Sequence, residues 1–260
     1  MRRIFLDSRD VRALVRRSPT LKHAAKSAQS AFDHWRRFAW KARRRSSIRS
    51  YLDAYQTRKL QIGCGELPMP GWLNTDLDPG IGRAAGTEVP VIYMDASAPF
   101  PIPDDAFDFI YAEHVIEHVP LADGQTMLSE SHRVLRRGGR IRVATPDLRQ
   151  LVQLYVDREE PSVDQSEYIS WIAETFFADP AQVGATVVLN NAFRAWGHAF
   201  LYDEETLRSI LLDAGFVDVR RMPFGESDNP NLRSLERHGD VVGSRAMNEF
   251  ETMVLEASKQ

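Results

Sequence analysis

Apolar residues follow two different spacings along the chain. Between Leu21 and Ala39 they recur at steps of three and four residues, which is the period of a helix with one apolar face. A shorter helix around Val11 to Val15 is predicted before it, with Pro19 separating the two. After Lys59 the apolar residues form short runs divided by loops and helical stretches, a pattern typical of a parallel sheet covered on both faces.

Five of these apolar runs are predicted strands, and each ends in a polar residue or a glycine. They are Lys59 to Gly63, Trp72 to Asp76, Val91 to Asp95, Phe107 to Glu113 and Arg140 to Thr145. Leu121 to Leu135 is a predicted crossover helix, and Gly138-Gly139 supplies the turn into the fifth strand. Ligands of open α/β sheets bind at the carboxyl ends of the strands, so the site is expected there.

The last part of the chain predicts a helix and two more strands. Asp203 can cap a helix that stops at Gly215. The runs Phe216 to Met222 and Glu251 to Ala257 have similar lengths and are predicted to pair antiparallel at the sheet edge. The expected fold class is α/β, with seven strands that are mostly parallel, one antiparallel strand at the edge, and a helical extension at the N-terminus.

Composition and charge indicate one globular domain with a basic extension. A chain of 260 residues, 43% hydrophobic, can bury one sizeable core. The net charge of −3 conceals fifteen Arg and Lys residues within the first 49 positions. We therefore predict an extension at residues 1–50 and a domain at residues 51–260. The domain is expected to contain an insertion at about 150–202, on the side where the substrate would bind.

Cysteine content and hydropathy bear on the compartment. Cys64 is the single cysteine, which excludes a disulfide framework within the chain and any zinc site built from several cysteines. No run approaches the roughly 18 apolar residues of a transmembrane helix, and Met1 to Ser8 lacks the apolar core of a signal peptide. A cytoplasmic location is predicted.

The segment Leu60-Gln61-Ile62-Gly63-Cys64-Gly65 is the sharpest chemical signal. An apolar strand there leads into two glycines that let a ligand approach the backbone closely, although a tight turn without a ligand has the same pattern. Asp76 ends the next strand, where its carboxylate could accept two hydrogen bonds from a ribose diol. The alternative for Asp76 is a turn at the end of the strand.

The same region argues against a dinucleotide. A dinucleotide fingerprint needs a third glycine that opens a helix facing the pyrophosphate, but Pro68 and Pro70 make a regular helix between Glu66 and Gly71 improbable. S-adenosylmethionine has a ribose and an adenine but no pyrophosphate, so it suits this loop better than NAD. Asp95, followed by Ala96, could accept from the adenine amino group or could cap a turn.

Together these segments resemble class I S-adenosylmethionine-dependent methyltransferases, and the resemblance runs from about Lys59 to Ser258. The matching motifs are Gly63-Cys64-Gly65, Gly71-Trp72-Leu73-Asn74-Thr75-Asp76, the segment from Phe107 to His118, and Arg133-Val134-Leu135-Arg136-Arg137-Gly138-Gly139. The family has a Rossmann-like sheet. The resemblance implies that Gly63 and Gly65 line the methionine part of the cofactor, that Asp76 binds the ribose, and that the Asp95-Ala96 region meets the adenine. Glu113 and His114 match the motif after the fourth strand. The residues Cys64, Leu77 and Glu113 are also predicted to bind the cofactor. The missing third glycine and the short first crossover depart from the family pattern.

Histidines are the candidate bases for methylation of an oxygen, because that acceptor must lose a proton. His198 is the first candidate, since Trp196 and Phe200 flank it in a loop-like stretch, and His114 is the second. His118 is more consistent with a role in orienting the helix. Each could instead be a packed or capping residue. The polar segment from Glu226 to His238 could close over the acceptor or lie on the surface, and no metal site is predicted.

Three functions are compatible with these motifs. The first is O-methylation of a small molecule or a glycan, the second a catalytically silent methyltransferase-like binding module, and the third an NAD-linked oxidoreductase. The basic extension could be a solvated helical face, a contact with anionic lipid at the inner membrane surface, or a contact with nucleic acid, which we expect least because the catalytic part lacks a recognisable RNA-binding module.

Overall fold

A long N-terminal helix, α1, spans Pro19–Ala54 in the computed structural model, which describes residues 19–81 and 86–260. The predicted helix from Leu21 to Ala39 is confirmed and continues further along the chain. The predicted helix around Val11 to Val15 lies outside the described residues. Two compact units divide between Arg45 and Ser46. In the first unit, Trp35 and Phe38 are exposed, while Ile48 and Tyr51 belong to the buried core of the second.

One seven-stranded sheet forms the framework of the second unit. Its strands are β1 (Lys59–Ile62), β2 (Leu73–Asp76), β3 (Val91–Tyr93), β4 (Phe107–Glu113), β5 (Leu135–Pro146), β6 (Val217–Met222) and β7 (Thr252–Ser258). They lie in the order β3-β2-β1-β4-β5-β7-β6. Strands β1 to β5 pair in parallel, whereas β7 is antiparallel to both β5 and β6. The predicted Rossmann-like α/β fold is confirmed, with the antiparallel strand β7 second from the edge and β6 outside it.

Strand lengths differ from prediction at β3 and β5. Strand β3 ends at Tyr93, two residues before the predicted end. Strand β5 begins at Leu135, five residues before the predicted start at Arg140. Gly138 still adopts a left-handed φ of +77°, and the pairing of β4 with β5 shifts its register between Phe107 and Phe109. The turn geometry was predicted correctly, but it interrupts the pairing without ending the strand.

Helices pack around the sheet. They are α2 (Leu121–Val134), α3 (Leu148–Val156), α4 (Val163–Phe176), α5 (Ala185–Arg194), α6 (Glu204–Asp213), α7 (His238–Val242) and α8 (Arg245–Glu251), with short 3-10 turns at Ile116–His118 and Pro180–Gln182. Helices α3, α4 and α5 form the predicted insertion at about 150–202. The Asp203 side chain accepts from the Thr206 N–H at the start of α6, and Gly215 follows with φ +97°, as predicted.

Three separate apolar clusters lie within the described part of the second unit. The main one lies around the sheet and includes Leu60, Ile110 and Val143, which are essentially inaccessible to solvent. The second joins helices α3, α4 and α5 through residues such as Leu154, and the third is a small cluster around Trp72. The predicted insertion therefore has its own small core, which gives it a rigid surface beside the carboxyl ends of β4 and β5.

The connection between β1 and β2 contains no helix, although the two strands are parallel. Residues 63–72 form turns and extended backbone instead. The side chain of Asn74 holds this connection in place. It accepts a hydrogen bond from the Met69 N–H at 2.7 Å and donates one to the Met69 carbonyl at 3.0 Å. The short, proline-interrupted crossover predicted from Pro68 and Pro70 is confirmed.

No helix among residues 19–81 and 86–260 is both long and apolar enough to cross a membrane.

Candidate functional site

The two glycines after β1 adopt left-handed backbone for different reasons. Gly63 has φ +60°, and a Cβ there would lie 2.5 Å from Cγ2 of Val115, so the loop after β4 packs directly over it. Gly65 has φ +52°, and no atom of the described residues would come within 4 Å of a Cβ at that position. Gly63 is thus required by packing, whereas the space beside Gly65 is open to a ligand.

Asp76 lies beside this loop at the end of β2, as predicted. Its Oδ2 accepts from the Gly65 N–H at 3.0 Å, and its Oδ1 accepts from the Asp78 N–H at 3.0 Å. Each carboxylate oxygen has further lone pairs that could accept from a diol. Leu77 next to it is exposed. The structure therefore joins the glycine loop to the predicted ribose-binding carboxylate.

Cys64 between the glycines is a buried free thiol. Its N–H donates to the Thr75 carbonyl at 3.0 Å, which continues the pairing of β1 with β2 by one residue. Burial raises the pKa of the thiol to about 12, and the nearby charge of Asp76 acts in the same direction. Cys64 contributes backbone and packing to the loop and has no nucleophilic thiolate near neutral pH.

Asp95 and Ala96 follow β3 in the loop that runs beside Asp76. The Met94 N–H donates to the Asp76 carbonyl at 3.0 Å, which brings the two strand ends together. Asp95 Oδ1 accepts from both the N–H and the hydroxyl of Ser97, at 3.0 and 2.6 Å. Asp95 is thus a turn-capping residue in this structure, and its contact with adenine stays a prediction.

Glu113 at the end of β4 is held by the chain itself. Its carboxylate accepts from the backbone N–H groups of Arg237 and His238, which begin helix α7, at 2.9 to 3.0 Å. Burial raises the pKa of Glu113 in spite of these bonds. The sequence prediction that Glu113 binds the cofactor stays untested, and the structure adds a second role, which is to anchor α7.

His114 forms a buried ion pair with Glu117. Its Nδ1 lies 3.1 Å from Oε1 of Glu117, and its Nε2 lies 3.1 Å from both Asn248 Oδ1 and Thr252 Oγ1. Burial alone would lower the pKa of His114, but the hydrogen bond and charge of Glu117 outweigh it and raise the pKa to about 9. Both ring nitrogens are therefore occupied, which suits a positioning role better than proton transfer.

Among the described residues, His198 is held by a hydrogen bond at one ring nitrogen. Its Nδ1 lies 2.7 Å from the Ala192 carbonyl, which can only accept, so Nδ1 carries the proton and Nε2 the lone pair. Burial lowers the pKa of His198, which keeps the ring neutral. Its loop is fixed to the 3-10 turn, because the N–H groups of Ala199 and Phe200 donate to the Glu117 carbonyl at 2.7 and 3.1 Å.

A cavity of about 170 Å³ joins these histidines to the insertion. Four histidines border it: His114, His118, His198 and His238. Helix α4 and the loop after α5 supply an aromatic wall, in which Phe176 contacts the rings of both Trp171 and Trp196 edge-on. An apolar wall with a few polar groups is typical of a site for a small organic molecule.

Sequence analysis did not identify the contributions of α4 and α8 to this cavity. Tyr168 and Trp171 stand three residues apart on α4, and this aromatic spacing was the available signal. Tyr168 donates a hydrogen bond to the carboxylate of Glu251. Burial raises the pKa of Glu251. Nothing in the local sequence of Glu251 distinguishes it from a surface residue.

A buried arginine, Arg142, binds the segment at residues 226–238 that ends at His238. Arg142 on β5 has no solvent exposure, and its guanidinium donates to Glu236 at 2.5 Å, to Glu256 at 2.6 Å and to the Glu226 carbonyl at 2.8 Å. Of residues 226–238, His238 borders the cavity, and closure of the segment over an acceptor stays a prediction. His238 stacks on His114 with ring centroids 4.0 Å apart.

Comparison with known proteins finds a family match over the part of the chain that forms strands β1 to β4 and most of β5. Residues 60–143 match the family described as Methyltransferase domain. This confirms, over that segment, the resemblance to S-adenosylmethionine-dependent methyltransferases, and with it the cofactor of that family, S-adenosylmethionine. The matched segment includes Gly63, Gly65, Asp76, Asp95 and Glu113. No curated protein sequence matches the chain.

Several solved structures have a similar fold. A SAM-dependent methyltransferase from Archaeoglobus fulgidus is 18% identical, with a TM-score of 0.46 over 83% of this chain and 92% of that one. A possible histamine N-methyltransferase from Thermotoga maritima is 19% identical, with a TM-score of 0.44 over 88% and 98%. An S-adenosylmethionine-dependent methyltransferase from Mesorhizobium loti is 17% identical, with a TM-score of 0.44 over 82% and 96%. Similarity at this level does not extend to the acceptor.

Proposed function

We propose that this chain is an S-adenosylmethionine-dependent methyltransferase that methylates an oxygen atom of a small molecule or a glycan. The observation that carries the proposal is the bond between Asp76 and the Gly65 N–H, beside open space and inside the segment that matches the methyltransferase family. The loop would hold the methionine part of the cofactor and Asp76 would hold the ribose. Asp95 and Ala96 would meet the adenine.

The cavity beside His114 is the proposed place of the acceptor. Methyl transfer is an in-line displacement at a sulfonium methyl group, so alignment of acceptor, carbon and sulfur supplies much of the rate, roughly 7 to 11 kcal/mol for well-oriented reactants. Trp171, Phe176 and Trp196 give that space an apolar aromatic wall. Burial raises the pKa of Glu251 at the edge of this space. Few close negative charges favour transfer, because the sulfonium charge is lost as the S–C bond breaks.

His198 is the residue that we propose activates the acceptor oxygen. Its Nε2 lone pair is directed away from the Ala192 carbonyl, and its ring borders the cavity. We propose a positioning role for His114, because its two ring nitrogens hold Glu117, Asn248 and Thr252 in place. An oxygen acceptor is favoured over a nitrogen acceptor by this neutral imidazole, since an alcohol must lose a proton to become nucleophilic.

We propose further that the protein works in the cytoplasm and contacts the membrane surface through α1. Trp35 and Phe38 are 64% and 68% exposed and lie three residues apart, so they share one side of the helix. Arg37, Arg44 and Arg45 accompany them in the same helix. Exposed aromatic rings together with cationic side chains suit a surface of anionic lipid, where apolar burial adds to charge attraction.

Calorimetric titration of S-adenosylmethionine and NAD tests the cofactor site. We expect the wild-type chain to bind S-adenosylmethionine, Asp76→Asn to bind it at least tenfold more weakly (about 1.4 kcal/mol), and neither to bind NAD. Asp218→Asn is the matched control, because Asp218 is exposed on the far strand β6. Equal affinity in Asp76→Asn and wild type would reject the assigned ribose contact.

Turnover separates an enzyme from a silent binding module. Methyl transfer from labelled S-adenosylmethionine to a panel of alcohols, phenols and sugars should be measurable in the wild type. We expect His198→Gln to lose most of this turnover and to retain cofactor affinity. Cofactor binding without transfer to any acceptor would favour the binding module, and loss of cofactor binding in His198→Gln would show that His198 does not act on the acceptor alone.

A further inference from the structure

Two histidines and one carboxylate converge at the edge of the proposed acceptor cavity. Glu117 and His118 lie on the 3-10 turn Ile116–His118, His198 lies on the loop after α5, and one ligand atom from each falls within 4.8 Å of the other two. We propose that Glu117, His118 and His198 form a binding site for one divalent transition metal ion of the zinc class. This inference rests on the proposed function and specifies how His198 acts.

Backbone contacts build the site before any ion binds. The two N–H groups that Ala199 and Phe200 donate to the Glu117 carbonyl fasten the His198 loop to the turn that carries Glu117 and His118. Trp196 and Gly197 both adopt left-handed backbone, with φ +56° and +83°, and this reverses the chain next to the His118 ring. The rings of His118 and His198 lie edge to face at 5.0 Å. Side chains on such fixed elements lose little conformational entropy when a metal binds.

The outer contacts of the three side chains match those of metal ligands. Metal-binding histidines usually donate their second N–H to a carbonyl or a carboxylate, as His198 does to Ala192. Glu117 is fully buried, and its Oε2 accepts from the Thr145 hydroxyl at 3.0 Å. Its Oε1 pairs with Nδ1 of His114 at 3.1 Å. An ion at this site would share the Glu117 carboxylate with His114.

The donor set indicates the class of ion. Imidazole nitrogens suit zinc and its neighbours in the first transition row, whereas magnesium and calcium prefer oxygen ligands. Three protein ligands leave at least one coordination position open, which is the pattern of a catalytic rather than a structural zinc site. His118 and His198 both border the cavity, so the open position is accessible to an acceptor.

A second group of candidate ligands does not support the same inference. His114, His238 and Glu251 also bring one ligand atom each within 4.8 Å of one another. Both nitrogens of His114 are already occupied, however, and Glu251 accepts a hydrogen bond from Tyr168. A metal there would have to break these contacts, so the group is used below as a control.

An ion at the proposed site would activate the acceptor directly. A hydroxyl oxygen in the open position would be more acidic, because a bound cation lowers the pKa of its oxygen ligands. The proton would pass to water, a lone pair of the oxygen would form the new C–O bond, and the electron pair of the broken S–C bond would stay on sulfur. His198 would then act as a ligand, in place of the general base predicted from the sequence.

Metal titration of the full chain without an affinity tag tests the inference. The chain would be dialysed against a chelator, then titrated with Zn²⁺ by calorimetry and with Co²⁺ by visible absorption, which reports the coordination. We expect one ion per chain, and binding at least tenfold weaker in His118→Asn and in His198→Asn. His238→Asn, which alters the second group only, should bind as the wild type does, and Mg²⁺ should not compete.

The same samples would be titrated with S-adenosylmethionine, so that the cofactor proposal is measured separately. Any of three results would overturn the metal site. These are a wild type that fails to bind zinc, a His118→Asn variant that binds it as tightly as the wild type does, and a His238→Asn variant that loses the binding. If S-adenosylmethionine still binds and methyl transfer proceeds in the chelated chain, the proposed function holds and His198 is the general base. Circular dichroism of each variant would confirm that His118→Asn, a change at an exposed residue, leaves the fold intact.

Discussion

The imidazole ring of His238 stacks on that of His114, with centroids 4.0 Å apart and ring planes inclined by 17°. The two rings have opposite protonation preferences. Glu117 raises the pKa of His114 to about 9, whereas burial, followed by the neighbouring charge of His114, lowers the pKa of His238 to about 3. Near neutral pH the stack therefore consists of a charged ring and a neutral ring beside the cavity.

This pair predicts how stability depends on pH in the metal-free chain. The charged His114 contributes its full stabilisation below pH 6.5, its unfolded pKa, and loses it as the pH rises through about 9. His238 must stay neutral, so it destabilises the folded chain increasingly as the pH falls below 6.5 toward 3. The contribution of the pair to the free energy of unfolding should therefore be greatest near pH 6.5.

Urea unfolding of wild type and His238→Asn from about pH 5 to 9.5 would measure this dependence. The variant should lose part of the decline on the acid side and keep the decline on the alkaline side. An identical acid limb in the two proteins would contradict the assigned role of His238. The other titratable groups that face the two rings are Glu113, Glu117, Glu251, His118 and His198, and they are unchanged in both proteins.

Alanine at Gly63 and at Gly65 should separate folding from cofactor binding. Both positions have left-handed backbone, so an alanine at either one should lower the free energy of unfolding by about 1 kcal/mol or more. Only Gly63→Ala also places a methyl group 2.5 Å from Val115, so it should lower the free energy of unfolding further. Gly65→Ala should fold and bind S-adenosylmethionine at least tenfold more weakly. The reverse order of stability would show that the loop is packed differently.

Cys64 should be protected from thiol reagents in the folded chain. Because burial raises the pKa of its thiol to about 12, the reactive thiolate is scarce at pH 8. We expect alkylation of the native protein to be slower than that of the urea-unfolded protein by at least tenfold. Mass spectrometry of the modified chain measures both rates, and rapid modification of the native chain would place the thiol in an open site.

Replacing Arg142 with Met should destabilise the fold strongly. The change leaves Glu236 and Glu256 buried without their cation, and breaking such a pair typically costs about 3 to 5 kcal/mol. Arg220→Met is the matched control, because Arg220 and its partner Asp228 are both largely exposed and such pairs contribute about 1 kcal/mol or less. Chemical denaturation compares the two. Similar losses would show that the Arg142 network is not buried in solution.

The membrane proposal predicts binding of the full chain to vesicles that contain anionic lipid. Affinity should fall with salt, and Trp35→Ser with Phe38→Ser should weaken it roughly tenfold because apolar burial is lost. Tyr155→Ser, at an exposed ring on α3, is the control. Sedimentation with vesicles measures binding. Retention by neutral vesicles alone, or by nucleic acid but not lipid, would reject an anionic lipid surface.

Local sequence determined the strands, their polar ends and the position of the glycine loop. Apolar runs specify strands through burial on both faces, and Asp76 follows such a run directly, so its place beside Gly65 could be derived from strand order alone. The same reasoning predicted the helix stop at Gly215 and the missing helix after Gly65, because backbone geometry depends on nearby residues.

Only the tertiary structure decided which distant side chains meet at the site. His198, His238 and Glu251 come from a loop and two short helices, and their approach to His114 depends on the packing of the insertion and on the buried charge of Arg142. Protonation followed from the same packing, since His114 and His238 are the same residue type with pKa values on opposite sides of neutrality. Desolvation and Coulomb interactions act through space, so the order of residues along the chain does not determine them.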